Sequence, residues 1–205
     1  MVAICWNSSM LDSRFSNSNR QILPMHVIET ELPGVLILEP KVFGDDRGFF
    51  QETWNAKVFK EIGIDVQFVQ DNHSRSAKGI LRGLHYQLHA PQGKLVRVTS
   101  GRVFDVAVDI RRSSAHFGRW TGVELSSDNK RMLWVPPGFA HGFVALEDHT
   151  DFLYKCTELY APQWDRSLAW NDPEIGIVWP LEGLIPQLSA KDLVGAALKD
   201  AEVFS

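Results

Sequence analysis

Arg82 and His85 lie three residues apart in a stretch, Gly79–Gln87, whose other residues are typical of a half-buried strand. The guanidinium of an arginine is planar and permanently charged, so Arg82 is suited to bind a phosphate. An imidazole is the side chain best able to accept or donate a proton near neutral pH. The pair therefore suggests a site that binds an anionic substrate and moves a proton, although a single strand histidine is also common as a structural residue.

Two segments resemble the metal-binding motifs of cupins, which are small jelly-roll proteins. Gly79 followed by five residues and His85 resembles the start of the first motif, and Pro136–His141 resembles the second. A metal site needs three or four histidine or carboxylate ligands. Gln87 stands where the first motif has its second histidine, and Val144 stands at the last ligand position of the second. The sequence therefore predicts a barrel without a catalytic metal and with two histidines near its mouth.

The elements that must position these residues are predominantly strands. Short strand signals recur at even spacing between Leu81 and Val144, as in a sandwich or jelly-roll barrel. Apolar residues alternate along Val103–Ile110, so Asp105 lies on the second face of that strand, either inside the barrel or on a solvated outer surface. Ser100–Arg102 predicts a hairpin turn back to the preceding strand. The other predicted strands lie within Val27–Pro40, Val66–Asn72, Leu95–Thr99, Trp120–Leu125, Met132–Val135, Phe139–Leu146 and Phe152–Leu159.

Two helices are predicted beside the strands. Asn55 is placed to cap a short helix that runs through Ile62. Ser189 with Asp192 three residues later is an acidic variant of the capping box, which predicts a second helix ending at Val203. The expected fold is mainly β, a cupin-type double-stranded β-helix (jelly-roll) barrel with short flanking helices.

Composition limits the classes of protein to consider. The chain has 205 residues and a net charge of −4, without the basic surplus of a nucleic-acid binder. No apolar run reaches the roughly 18 residues of a membrane helix. Cys5 and Cys156 form no disulfide framework, which predicts a cytoplasmic protein. The polar residues 1–24 lack any structural period and predict a flexible arm or non-native extension before a single domain of residues 25–205.

Nine segments together carry a more specific resemblance. They cover most of the chain from Leu36 to Asp192, in order and at plausible spacing, and are similar to the dTDP-4-dehydrorhamnose 3,5-epimerase family. The segments are Phe43–Phe50 (FGDDRGFF), Phe68–Ser74 (FVQDNHS), Arg82–Gln87 (RGLHYQ), Gln92–Arg97 (QGKLVR), Val103–Arg111 (VFDVAVDIR), Leu133–Phe143 (LWVPPGFAHGF), Leu153–Thr157 (LYKCT), Trp170–Pro173 (WNDP) and Leu188–Asp192 (LSAKD).

The resemblance implies epimerisation at C3 and C5 of a dTDP-linked 4-keto sugar, dTDP-4-dehydro-6-deoxy-D-glucose. His85 would be the base, with Asp192 as its hydrogen-bonded partner. Lys94 would stabilise the oxyanion on O4, with Asp105 as the partner of Lys94. Tyr154 would be the acid that protonates the opposite face of the sugar. No cofactor is implied, because the ketone of the substrate itself acts as the electron sink.

The resemblance also implies a set of binding residues. Arg82 and Arg47 would contact the diphosphate and nucleotide, and His141 would lie near the sugar. The residues that would frame the substrate are Phe50, Glu52, Gln70 and Asn72. Family members are homodimers that exchange strands, so Arg47 and its neighbours would complete the site of the partner subunit.

Simpler interpretations stand beside these roles. Without the resemblance, Lys94 and Arg47 read as exposed turn charges, Asp192 as a helix cap, and His141 as a buried structural residue. At the level of function, the alternatives are a single-carbon epimerase or ketoisomerase of a related dTDP-4-keto sugar, a non-catalytic sugar-binding cupin, and a metal-dependent oxygenase.

Overall fold

Thirteen strands and one short α-helix form the described part of the chain. The computed structural model describes residues 25–205. The strands are β1 (Met25–Glu29), β2 (Leu36–Pro40), β3 (Val42–Asp45), β4 (Gly48–Gln51), β5 (Gln70–Ser76), β6 (Leu81–Gln87), β7 (Lys94–Ser100), β8 (Arg102–Asp109), β9 (Trp120–Ser126), β10 (Met132–Val135), β11 (Phe139–Ala145), β12 (Thr150–Cys156) and β13 (Asp165–Ser167). The helix α1 spans Ala56–Glu61, and single 3-10 turns span Pro162–Trp164, Asp192–Val194 and Leu198–Asp200.

The strands form two main antiparallel sheets. One has six strands in the order β1-β2-β10-β7-β12-β5, and the other has five in the order β13-β6-β11-β8-β9. β3 and β4 pair only with each other, as a separate hairpin. The predicted mainly β, cupin-type jelly-roll fold is confirmed. Among residues 25–205, no helix is long and apolar enough to cross a membrane.

The main core lies between the two sheets. Side chains from both sheets meet there, including Val96 and Phe152 from the six-stranded sheet and Ala107 and Phe143 from the five-stranded sheet. A second apolar cluster covers the outer face of the five-stranded sheet, where the C-terminal segment packs. Burial of both faces explains why β11, which is buried along its whole length, is apolar at every position except His141.

β8 shows how alternation places a charged residue inside the barrel. Val103 and Ala107 belong to the core between the sheets, whereas Val106 and Val108 belong to the outer cluster. Asp105 shares the inward face and is completely buried. Of the two positions that the sequence allowed for Asp105, the structure has the inner one.

The predicted capping of α1 is confirmed. The side-chain Oδ1 of Asn55 accepts hydrogen bonds from the backbone N–H groups of Lys57 (3.1 Å) and Val58 (3.4 Å). This satisfies two of the donors that a helix leaves free in its first turn. Val58 and Phe59 are buried in a third apolar cluster against the six-stranded sheet.

The predicted hairpin at Ser100–Arg102 is wrong. β7 pairs with β10 and β12, whereas β8 pairs with β9 and β11, so the chain crosses from one sheet to the other at this turn. A Cβ atom added to Gly101 would lie 2.4 Å from Oγ1 of Thr150, and the φ of Gly101 is +73°. The glycine thus serves a tight inter-sheet corner, which looks like a hairpin turn in sequence.

Two further boundaries differ from expectation. The strand predicted at Val66–Asn72 begins at Gln70 and ends at Ser76, and all 7 of its residues are polar. The helix predicted from Ser189 to Val203 is wrong, because only two 3-10 turns form there. A Cβ on Gly195 would lie 2.4 Å from the carbonyl oxygen of Leu168, so this segment packs its backbone directly against the barrel instead of coiling.

Candidate active site

A cavity of about 210 Å³ opens between the two sheets. The six-stranded sheet contributes Lys94 from β7 and Tyr154 from β12, and the five-stranded sheet contributes His85 from β6. The base and the acid implied by the resemblance therefore lie on opposite walls. The full lining is Ser74, Arg82, His85, Lys94, His141, Gly142, Phe143, Phe152, Tyr154, Ser189 and Asp192.

His85 and Asp192, which are 107 positions apart in sequence, are in direct contact. The Nε2 of His85 lies 2.6 Å from Oδ1 of Asp192. The other carboxylate oxygen, Oδ2, accepts a 2.6 Å hydrogen bond from the hydroxyl of Ser189. The backbone N–H of Gly83 donates to Oδ1 at 3.3 Å. Asp192 is thus buried and held by three groups, which fixes the orientation of the imidazole.

The charge states of this pair suit a base and its partner. Burial opposes the negative charge of Asp192, yet hydrogen bonds from His85 and Ser189 lower its pKa to about 2. Burial lowers the pKa of His85 below its ordinary value, against the opposing effect of the hydrogen bond to Asp192. His85 is therefore neutral at neutral pH, and the ring nitrogen that does not face Asp192 is free to accept a proton.

Lys94 reaches the same cavity from the opposite sheet. Its ammonium donates to the backbone carbonyl of His85 at 3.4 Å. Burial lowers the pKa of Lys94, while nearby acidic groups that include Asp105 act in the other direction. A buried ammonium with one long hydrogen bond retains donors that can stabilise an oxyanion.

Asp105, the predicted partner of Lys94, is near enough to act on its charge but forms its direct hydrogen bond with His141. Oδ1 of Asp105 accepts from Nε2 of His141 at 2.8 Å, and Oδ2 has no hydrogen-bond partner. The register explains the choice, because Asp105 pairs with Phe143 and is therefore a diagonal neighbour of His141 across β8 and β11. Asp105 lies behind the cavity wall, and His141 stands on it.

Tyr154 and Arg82 complete the cavity. Burial raises the pKa of Tyr154, so its phenol stays protonated and can act as an acid. The Nε of Arg82 donates to the hydroxyl of Ser76 at 3.2 Å, and the side chain is otherwise exposed toward solvent. An exposed guanidinium at the mouth suits an anionic group that remains outside the barrel.

Five predicted binding residues do not line this cavity. Arg47 and Phe50 lie on the exposed β3–β4 hairpin, where Arg47 pairs with Asp45. Glu52 follows the hairpin and accepts a 3.0 Å hydrogen bond from Asn55. Gln70 donates to Asn72 at 3.1 Å and accepts from the backbone N–H of Tyr160 at 2.8 Å. Within one chain, these five predicted residues are not assembled with the base.

Five cavity residues received no cavity role from sequence: Ser74, Gly142, Phe143, Phe152 and Ser189. The rings of Phe143 and Phe152 stack with centroids 4.1 Å apart. The period-two rule could have identified both, because each lies two residues from a predicted site residue on the same strand, His141 and Tyr154 respectively.

Gln87, which stands where a cupin metal ligand would, hydrogen-bonds to backbone groups instead. Its side-chain amide donates to the carbonyl oxygens of Ala90 (2.9 Å) and Leu159 (3.2 Å) and accepts from the N–H of Ala161 (2.8 Å). Gln87 thus ties two loops together below the site. Among residues 25–205, no group of three His, Cys, Asp or Glu side chains is placed to hold a metal ion.

Comparison with known proteins points to one family. The family model described as dTDP-4-dehydrorhamnose 3,5-epimerase matches residues 29–200. The chain is 56% identical over 181 residues to the dTDP-4-dehydrorhamnose 3,5-epimerase of Pseudomonas aeruginosa, covering 88% of this chain and 99% of that protein. It is 58% identical over 182 residues to the enzyme of the same name from Shigella flexneri, with the same coverage.

A solved structure agrees with these relatives. The crystal structure of dTDP-6-deoxy-D-glucose-3,5-epimerase from Legionella pneumophila, in complex with dTDP-4-keto-L-rhamnose, matches with a TM-score of 0.85 and 52% identity. The match covers 87% of this chain and 95% of that one. The chain belongs to the dTDP-4-dehydrorhamnose 3,5-epimerase family.

Proposed function

We propose that this protein is an isomerase that converts dTDP-4-dehydro-6-deoxy-D-glucose to dTDP-4-dehydro-L-rhamnose. The observation that carries the proposal is the 2.6 Å contact between His85 and Asp192, with Tyr154 on the facing wall. A base and an acid on opposite faces of a sugar are what inversion of a carbon centre requires. Family membership and the ligand named for the Legionella relative support the choice of sugar.

Each inversion follows the same steps. His85 takes the proton from the carbon next to the ketone, and the electron pair moves into the C4 carbonyl to form an enolate. The ammonium of Lys94 stabilises the negative charge on O4. Tyr154 gives its proton to the opposite face of the carbon, and the electron pair returns from O4. His85 then loses its proton to solvent and Tyr154 regains one, so protons and electrons balance. No cofactor takes part, because the ketone holds the electron pair.

The buried second histidine has a supporting place in this scheme. His141 pairs with His85 in the register of β6 and β11, and Asp105 holds its Nε2. This orientation leaves the other ring nitrogen of His141 to face the sugar. Asp105 thereby acts on the site through His141 rather than through Lys94.

Product analysis tests the proposal. Wild-type protein incubated with the 4-keto sugar nucleotide should give a product whose proton NMR spectrum shows inversion at both C3 and C5. Inversion at one carbon would identify a single-carbon epimerase, and a moved ketone would identify a ketoisomerase. His85→Asn should abolish turnover while leaving dTDP binding intact. Binding of the sugar nucleotide to the wild type without turnover would instead identify a sugar-binding cupin.

The diphosphate and nucleotide are proposed to lie outside the barrel mouth, between Arg82 and residues of a second subunit. The β3–β4 hairpin exposes Val42, Phe43, Phe49 and Phe50 to more than two fifths of their full extent. Such an apolar patch on a free hairpin suggests a protein interface. β5, which carries Gln70 and Asn72, is the last strand of its sheet in residues 25–205, so its edge can accept a strand from a partner.

Mixing two inactive variants tests this homodimer with exchanged strands. Arg47→Ala and His85→Asn chains, refolded together, should recover about a quarter of wild-type activity, since half of the dimers then contain one intact site of two. No recovery would place Arg47 in the site of its own chain. The proposed compartment is the cytoplasm, because Cys156 is buried and unpaired in the described residues, which suits a reducing environment.

A further inference from the structure

A short strap of residues 188–195 passes beside β6 and carries Asp192 to His85. It is fixed at both ends: Gln187 forms a parallel bridge with Ile80, and Ala196 forms one with Leu168. Between these bridges the strap contains one 3-10 turn, Asp192–Val194. Leu193 and Val194 are 67% and 80% exposed. The strap therefore has little apolar packing of its own where it carries Asp192.

Polar contacts hold the middle of the strap instead. On its inner side Asp192 bonds to His85 and to the N–H of Gly83. On its outer side the ammonium of Lys191 pairs with Oδ2 of Asp165. Lys191 and Asp192 are adjacent, so the outer ion pair and the inner contact fix consecutive residues of the same turn.

Asp165 is well placed to be the fixed member of the outer pair. It begins β13, whose backbone pairs with β6 so that Asp165 lies opposite Gln87. Its side chain is only 10% exposed, whereas that of Lys191 is 44% exposed. The same Oδ2 accepts a 2.9 Å hydrogen bond from the hydroxyl of Tyr160. The Asp165 carboxylate is thus held on a strand of the barrel, and the more exposed side chain of Lys191 extends to it.

We propose that Asp165 is a positioning residue for the reaction, which acts through Lys191 to hold Asp192 at hydrogen-bonding distance from His85. The inference rests on the proposed function for its kinetic consequence. Asp165 does not line the cavity, so it has no direct contact with the reacting carbon. Without the pair, the turn loses its outer attachment and the imidazole is held less firmly.

The direct test reads the hydrogen bond rather than the rate. A proton shared by an imidazole and a carboxylate gives a resolved downfield NMR resonance, which can be followed in ligand-free protein. Asp165→Asn should weaken or shift this resonance of His85, and so should Lys191→Met, which changes a side chain that is 44% exposed. Tyr160→Phe removes one bond to Oδ2 of Asp165 but leaves its pair with Lys191 in place, so it should shift the resonance less than either of these changes. Resonances identical to wild type in both Asp165→Asn and Lys191→Met would overturn the proposal.

The kinetic test is a double-mutant cycle on epimerisation. Asp165→Asn should lower kcat about fivefold, the effect of losing roughly 1 kcal/mol, at the strong end for a partly exposed ion pair. In a Lys191→Met background, Asp165→Asn should have no further effect, because the two residues act as one unit. A further fivefold fall in that background would show independent action and contradict the proposal.

A matched control lies one residue away. Arg166 of β13 forms a comparable ion pair with Glu202, at 2.7 Å, which does not touch the strap. Glu202→Gln should leave both the resonance and kcat unchanged, and an equal loss in this variant would mark the effect as general to β13. Absence of turnover by the wild type would refute the proposed function, whereas the NMR test of Asp165 would still stand.

Discussion

Replacing Asp192 by Asn tests the role of the buried carboxylate in catalysis. The substitution keeps the size of the side chain and removes the charge that His85 contacts at 2.6 Å. A hydrogen bond to a charged group contributes about 1.5–3 kcal/mol. At about 1.4 kcal/mol per factor of ten, its loss should lower kcat about 10- to 150-fold. The fall should lie at the upper end, because an amide can present its NH₂ group to His85 and favour the wrong tautomer.

The dependence of rate on pH gives a second measure of the same variant. In the wild type, kcat/KM should fall as the pH drops through the pKa of His85, because the protonated ring cannot act as a base. The Asp192 carboxylate raises that pKa. Removal of the carboxylate should therefore move the acid limb of the kcat/KM profile to lower pH and also lower the plateau of kcat/KM.

The assay is NMR detection of epimerised product over pH 5–9, with Ser189→Ala as a graded control. Ser189→Ala keeps the carboxylate and removes two hydrogen bonds of the Ser189 hydroxyl, the one to Oδ2 at 2.6 Å and the one from the N–H of Asp192 at 3.3 Å, so it should reduce kcat less than Asp192→Asn. An Asp192→Asn enzyme within about threefold of the wild type, with an unmoved acid limb, would refute the assigned role of Asp192.

Two other predictions concern Tyr154 and the stability of the fold. Tyr154→Phe should lower the rate of inversion about 10²- to 10⁴-fold, while solvent deuterium still exchanges into recovered substrate because His85 is intact; equal losses of exchange and inversion would contradict an acid role. The pKa of Asp192 is about 2 in the folded protein and about 3.8 when unperturbed, so Asp192 contributes about 2 kcal/mol to stability above pH 4 that is lost as the pH falls toward 2. Urea unfolding of wild type and Asp192→Asn should therefore give free energies of unfolding that converge between pH 5 and pH 2, and a constant difference would contradict this.

The alternation of apolar residues along the strands was the sequence feature that best predicted the barrel. Along β8 it identified the two faces of the strand and allowed Asp105 to lie inside, where it is buried. The rule reports only which side a residue faces. Which neighbour it contacts depends on register, and the register joins Asp105 to His141 instead of Lys94. The same limitation affected the turn at Ser100–Arg102, whose residues suit a hairpin and an inter-sheet corner equally well.

The C-terminal segment after Ser189 shows a second limitation, that a local helix signal does not ensure a helix. The reciprocal contact between Ser189 and Asp192 forms as a capping box requires, with Asp192 N–H to Ser189 Oγ at 3.3 Å and Ser189 N–H to Asp192 Oδ2 at 3.4 Å. The helix that it would start does not form, because burial of Leu198 and Ala201 against the sheet outweighs local propensity. Asp192 was linked to His85 only through the resemblance to a family, because no local sequence pattern connects the two residues.

The predicted binding residues on the β3–β4 hairpin lie away from the cavity of their own chain. Arg47 and Phe50 are exposed and do not line the cavity of their own chain, so the role proposed for them depends on a second subunit. Sequence similarity identifies such residues without saying which chain they serve. The mixing experiment with Arg47→Ala is therefore the informative test of these positions.

Incorporation of solvent deuterium tests the central claim most directly. Wild-type protein turning over the 4-keto sugar nucleotide in heavy water should place deuterium at both C3 and C5 of the product, because each proton removed by His85 is replaced from the opposite face through Tyr154. His85→Asn should give no label at either carbon. A wild-type enzyme that forms product without deuterium at these carbons, or that exchanges neither carbon, would contradict the account.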